Sequence, residues 1–238
     1  MKAVVLAAGK GSRINDVTEG RPKSLLPLGE TTLLGHSLRK LAAQGVDDLV
    51  LVTGYQRDAI IAYVQQEWTG AVEFVFNPHF ETTNVLYSFW LALPYVNEDF
   101  VFLHADTVFS DEVLRRVLAH RAGAEIVFAV DDHPCEEEEM KVQVADGLVT
   151  LVTKEMPSES ANGEFLGLAR VSGTQIPSLR RHAEALFEAG TFNAFFELAV
   201  QRMIDTDHLA VEVADVSGLP WREVDFPEDY QAARGLFD

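Results

Sequence analysis

Positive charge is scarce in this chain. Nineteen Lys and Arg stand against 37 Asp and Glu, leaving a formal net charge of −18 at pH 7 over 238 residues. A field of that sign excludes nucleic acid and anionic membrane surfaces as expected partners, since neither is drawn to it. Cysteine is limited to Cys135, so no internal disulfide can form; that suits a reducing compartment, and the thiol reads as idle. No apolar run approaches the length of a membrane span. Internal repeats and low-complexity linkers are missing as well. Met1-Lys2-Ala3-Val4 enters a strand directly, without the pattern of a signal peptide. We therefore expect one cytoplasmic domain over residues 1–238, long enough for a sizeable core, and no statement about oligomeric state follows.

The few cations are not spread evenly. The apolar stretch Ala3-Val4-Val5-Leu6 runs into Ala7-Ala8-Gly9-Lys10-Gly11-Ser12-Arg13, and Arg21-Pro22-Lys23 follows shortly after. Glycine lets backbone N–H groups turn toward a ligand without a Cβ in the way. Successive N–H groups in such a turn make an anion-binding nest. Arg13 adds a planar fork and Lys23 a compact charge, and Pro22 restricts the backbone just before it. In a chain this acidic, that cluster predicts a polyphosphate site. It is not a Walker A loop, because no Gly-Lys-Ser/Thr ending is present, and it lacks the last glycine of a dinucleotide fingerprint.

Apolar runs alternate with helical patterns. Strands are expected at Ala3–Ala7, Leu49–Thr53, Val72–Phe76, Phe100–His104 and Glu125–Val130. Helices are expected at Thr32–Gln44, Arg57–Glu67, Val85–Leu93, Asp111–Ala122, Gln175–Ala189 and Phe192–Ile204. This predicts a Rossmann-like α/β fold, with a mostly parallel sheet covered by helices and ligands at the carboxyl ends of the strands. The rhythm breaks after Val130. Asp146-Gly147 between Met140–Ala145 and Leu148–Thr153 signals a hairpin, and Glu164–Val171 reads as a strand returning to the sheet. Residues 131–165 are expected to form a small antiparallel lid. The run Glu136–Glu139 reads as a solvated face, Asp111 as a helix cap and His104 as a satisfied strand-end histidine.

Leu6 to Arg13 with Pro22-Lys23 resembles the N-terminal motif of the nucleotidyltransferases that move a nucleoside monophosphate from an NTP onto a phosphorylated small molecule. The likeness continues through Pro27-Leu28-Gly29 and Val52-Thr53-Gly54-Tyr55. Asn77-Pro78-His79-Phe80 followed by Asn84 and Ser88 is similar to the choline-phosphate and aminoalkylphosphonate cytidylyltransferase branch. The resemblance implies a nucleotide-diphospho-sugar transferase-like fold and a site in named parts. Leu6, Ala7, Ala8, Gly9, Gly11, Ser12, Gly54, Tyr55 and Ser88 would bind the nucleotide, with CTP favoured. Arg13, Lys23 and Lys154 would serve catalysis. Asn84 and Glu164 would bind the acceptor.

Nucleotidyl transfer needs a divalent cation, and magnesium takes only one or two carboxylates. Asp106 at the edge of an apolar strand and Asp225 in Glu223-Val224-Asp225 match the family's metal aspartates. His104-Ala105 before Asp106 departs from the family's usual glycine. An ammonium-bearing acceptor such as phosphocholine or 2-aminoethylphosphonate would need an aromatic and acidic cage. Phe192, Phe195, Phe196, Glu197 and Trp221 are the candidates, although helical aromatics are more often core. A sugar-1-phosphate uridylyl- or thymidylyltransferase and an inactive nucleotide sensor are the alternative expectations.

Overall fold

A computed structural model describes residues 1–120 and 123–237. In chain order it runs β1 (Lys2–Ala7), α1 (Asn15–Thr18), β2 (Pro27–Leu28), β3 (Thr31–Thr32), α2 (Leu33–Ala43), β4 (Asp48–Thr53), α3 (Arg57–Glu67), β5 (Ala71–Phe76), α4 (Val85–Ala92), β6 (Phe100–His104) and β7 (Thr107–Phe109). It continues α5 (Asp111–Leu118), β8 (Ile126–Asp131), β9 (Lys141–Ala145), β10 (Leu148–Thr153), β11 (Gly163–Val171), α6 (Ile176–Glu188), α7 (Phe196–Asp207), β12 (Val211–Asp215), β13 (Trp221–Glu223) and α8 (Pro227–Phe237). Among the described residues no helix is long and apolar enough to cross a membrane.

The main sheet has the order β5-β4-β1-β6-β11-β8-β12-β10-β9, with β9 also pairing to β11. Strands β5, β4, β1 and β6 are parallel. Its central strands are buried on both faces because their side chains alternate between two cores. Val4, Leu6, Val50, Val52, Phe102 and Phe128 pack under α4, α6 and α7. Ala3, Val5, Ala7, Leu49, Leu51, Val101 and Leu103 pack under α2, α3 and α5. The sheet gathers the carboxyl ends of β1, β4 and β6 on one edge. Strand β11 runs antiparallel to β6, so its beginning, Gly163-Glu164, arrives at that same edge. The hairpin at Asp146-Gly147 has both turn residues at positive φ, as a two-residue primed turn requires. Residues 131–165 are woven into the sheet, since β9 and β10 form its far edge.

The five expected strands agree with the structure to within one residue at each end, and Thr32 caps α2 by accepting the Gly35 N–H. One helix cap and two helix boundaries differ for identifiable reasons. Ser110, not Asp111, occupies the cap position of α5, and Asp111 pairs with Lys40 at 2.9 Å. Helix α5 ends at Leu118, where Arg170 donates to the Leu118 and His120 carbonyls; its expected end at Ala122 lies outside the described residues. Helix α7 begins at Phe196 rather than Phe192 because the Phe192 and Ala194 carbonyls accept the Asn84 and Leu86 N–H groups. Those bonds satisfy otherwise unpaired donors at the start of α4.

Candidate active site

The glycine loop leaves β1 and turns over Lys23. Gly11 lies at φ +64, and a Cβ there would meet the Lys23 Cβ at 2.8 Å. Glycine at 11 and lysine at 23 are thus two halves of one packing arrangement. A Cβ on Gly9 would meet nothing within 4 Å, so that face of the loop is open to a ligand. Gly54 packs behind the loop, where a Cβ would come 2.5 Å from the Ala8 carbonyl oxygen. The Tyr55 N–H donates to that same oxygen at 3.1 Å. Gly54 and Tyr55 therefore buttress the loop from behind.

Asp106 and Asp225 are brought together by the main chain. Strand β13 pairs antiparallel with β7, with Glu223 opposite Thr107, and the Val224 N–H donates to the Asp106 carbonyl at 3.1 Å. Lys23 Nζ lies between the two acids, 2.6 Å from Asp106 and 2.8 Å from Asp225. Arg13 reaches Asp225 at 3.0 Å. Burial alone would lower the Lys23 ammonium, but the charges and hydrogen bonds of the two acids outweigh it and hold the group above its ordinary range. Burial likewise pushes Asp225 up, and Lys23 with Arg13 more than reverses this. Two hard carboxylates focused on one cation fit magnesium. His104, Asp106 and Glu223 also place ligand atoms within 4.8 Å of one another, though an imidazole nitrogen is a softer partner than magnesium takes.

A cleft of about 320 Å³ opens here. It is lined by Leu6, Ala8, Gly9, Gly11, Ser12 and Arg13 of the glycine loop, by Lys23 with its partners Asp106 and Asp225, and by Asn84, Ser88 and Lys154. The Asn84 side-chain oxygen accepts the Val85 N–H, and Ser88 Oγ accepts from Asn77 Nδ2 at 3.0 Å. Asn77, 1% exposed, belongs to the Asn77-Pro78-His79-Phe80 motif noted in the sequence, which assigned it no role of its own; here it holds Ser88 in place. Phe80 and Thr83 line the cleft as well.

A second pocket of about 500 Å³ continues from the first and shares His104, Lys154, Phe195, Glu223 and Asp225 with it. Its character is opposite: Glu136, Glu138, Glu139, Glu164, Glu197 and Glu228 line it beside Phe165, Trp221 and Phe226. The acidic run after Cys135 is solvent-exposed over residues 136–138, as expected, and its Glu136, Glu138 and half-buried Glu139 also rim this pocket. Of the cage candidates, Phe195, Glu197 and Trp221 are here, while Phe196 lies in the core and Phe192 stacks on Phe187. Burial pushes the Glu164 carboxyl up, and the charges of Glu139, Glu223 and Asp131 add to that, to about 9. Burial opposes charge on His104, yet Glu223 at 3.6 Å, with Asp106 and Glu197, raises the ring to about 9. His104 is not a satisfied histidine. Its Nε2, like Oε2 of the 3% exposed Glu197, is buried without a hydrogen-bond partner among the described residues. Gly167, at φ +70 beside a register shift in β11, makes room for the ring: a Cβ there would lie 2.8 Å from His104 Nδ1. Glu197, one of the cage candidates, is a carboxylate on the core-facing stripe with Phe196, Ala199 and Val200.

A doubly wound sheet with a basic glycine loop at its carboxyl edge defines a nucleotide-binding α/β protein. The chain belongs to the MobA-like NTP transferase domain family, whose model matches residues 3–191. It is 32% identical over 98% of its length to the CMP-5'-(3-aminopropyl)phosphonate synthase of Streptomyces rubellomurinus, and spans 38% of that protein. It is 25% identical to the choline-phosphate cytidylyltransferase of Streptococcus pneumoniae, covering 97% of this chain and 96% of the relative. The structure of an inositol-1-phosphate CTP transferase from T. maritima shares the fold with a TM-score of 0.82, at 24% identity over 96% of this chain and 90% of that one.

Proposed function

We propose that this chain transfers CMP from CTP to a small acceptor bearing a phosphate or phosphonate at one end and an ammonium group at the other. One observation carries the reading: a cleft presenting the glycine loop, Arg13, Lys23 and Lys154 meets an acidic, aromatic pocket at five shared side chains. A triphosphate suits the first and a cationic head group the second. The names of the relatives support CTP and this kind of acceptor. A sugar acceptor would leave the acidic pocket without a complementary charge.

In the proposed reaction an acceptor oxygen attacks the α-phosphorus, the new P–O bond forms, and the bond to the bridging oxygen breaks to release pyrophosphate. The acceptor is already anionic, so no proton needs removal and catalysis is positioning plus electrostatics. The glycine loop and Arg13 would hold the β- and γ-phosphates. Lys23 would span the α-phosphate and the departing pyrophosphate. Lys154, whose ammonium lies 5.1 Å from the centre of the Phe195 ring, would offset charge from the acceptor side. Magnesium held by Asp106 and Asp225 would supply further charge neutralisation. Residues 131–165 would act as the outer wall of the acceptor site.

The test measures pyrophosphate release with magnesium and each of CTP, UTP, dTTP, ATP and GTP, against phosphocholine, 2-aminoethylphosphonate and glucose-1-phosphate. Release with CTP and an ammonium-bearing acceptor is expected. Preference for glucose-1-phosphate would replace the acceptor reading, and NTP binding without release for any pair would make the chain a sensor.

A further inference from the structure

The loop 132–140 joins β8 to β9 and gathers donors of three chemical kinds on one side. A ligand atom from each of His133, Cys135 and Glu139 lies within 4.8 Å of the others. His133 Nε2 stands 4.0 Å from Glu139 and 3.1 Å from Oε2 of Glu164, which projects from β11. Cys135 and Glu164 are both buried. The other ring nitrogen, Nδ1, lies 3.0 Å from the Pro134 carbonyl. A carbonyl can only accept, so Nδ1 carries the proton, and in the neutral ring Nε2 presents its lone pair to the cluster. That is the orientation a metal-binding imidazole needs, with its outer nitrogen fixed by a backbone acceptor.

The neighbouring ammonium gives its hydrogen bonds to backbone oxygens. Lys141 donates to the carbonyls of Glu137, Glu139 and Lys154, at 2.6, 3.3 and 3.0 Å. Those bonds pin the loop that carries Glu139 while directing the lysine charge to backbone oxygens. The Glu139 carboxylate also accepts the Glu136 N–H at 2.8 Å, which fixes its direction.

We propose that His133, Cys135, Glu139 and Glu164 form a site for one thiophilic divalent cation, zinc being the best match, distinct from the position between Asp106 and Asp225. Imidazole, thiolate and carboxylate together suit zinc, whereas magnesium takes hard oxygens. Ligand atoms held at about 2.0–2.3 Å around a tetrahedral ion stand roughly 3.3–3.8 Å apart, so Glu139, 4.0 Å from His133, has to approach and Glu164, 3.1 Å from it, has to draw back slightly. Binding releases the Cys135 thiol proton and the Glu164 carboxyl proton to solvent, and no oxidant or reductant takes part. The ion would clamp the loop to β11 and set the outer wall of the acidic pocket.

Cobalt(II) is the probe. Cys135 is the chain's one cysteine, so a near-ultraviolet thiolate-to-cobalt band reports on it alone. Chelator-treated full-length protein is titrated with cobalt(II) under excess magnesium, with circular dichroism as the check on folding. A band saturating at one equivalent and displaced by zinc is expected. Cys135→Ser should abolish it, His133→Ala and Glu139→Gln should each weaken cobalt binding about tenfold or more, and Asp225→Asn should leave it unchanged. A folded protein with no saturable band overturns the proposal, as does a band indifferent to both His133→Ala and Glu139→Gln.

Discussion

The two walls of the cleft differ in how the chain builds them. The basic wall comes from consecutive sequence at the end of β1, Leu6 to Arg13, closed by Lys23. The acidic wall draws on the end of β6, the loop before β9, the start of β11, the start of α7 and the turn around β13. A triphosphate offers the same charge and oxygens whatever it is attached to, so a short local motif suffices to hold it. A head group has to be recognised by shape and charge together, and only tertiary assembly brings such a set into one place.

If the basic wall holds the phosphates, Lys23→Met should do the most damage. It removes the one ammonium that both acids contact, and kcat/KM for pyrophosphate release is expected to fall by about 10³-fold. A fall below tenfold would break the assignment of that wall. The opposing wall is probed by Glu197→Gln. Losing a charge-assisted contact worth about 1.5–3 kcal/mol should raise the acceptor KM by roughly 10- to 100-fold while the CTP KM stays within about twofold. Equal changes in both constants would show that the two walls do not divide the substrates.

The smallest effect concerns stability. Folding raises Glu164 from 4.5 to about 9, so between those values the folded chain holds a proton that the unfolded chain has released. Stability therefore falls as pH rises through that window. In chelator, Glu164→Gln should melt with wild type near pH 4 and several degrees above it near pH 8. A gap that does not vary with pH would remove the electrostatic strain ascribed to the acidic wall.

The same contrast explains what could be read in advance. The parallel strands were legible because β1, β4 and β6 are continuous apolar runs, and the glycine loop with its cations because these are neighbours in sequence. Asp225 was placed by likeness to a family pattern, not by local physics. Strand β13 carries too few residues to show a period, and strand β12 and helix α8 went unpredicted. Glu136 and Glu138 are the solvent-facing charge they looked like, but nothing local reveals that Lys141 ties their loop down at the rim of a pocket. His104 looked satisfied because its neighbour across the strands, the kink at Gly167, is distant in sequence.

The ribbon of β7 and β13 has a practical outcome. It is stitched by peptide groups, so the gap between residues 106 and 225 is written in the main chain and survives replacement of either side chain. An engineer could exchange one of these acids for a different donor, to favour another ion, and still find its counterpart waiting at the original spacing.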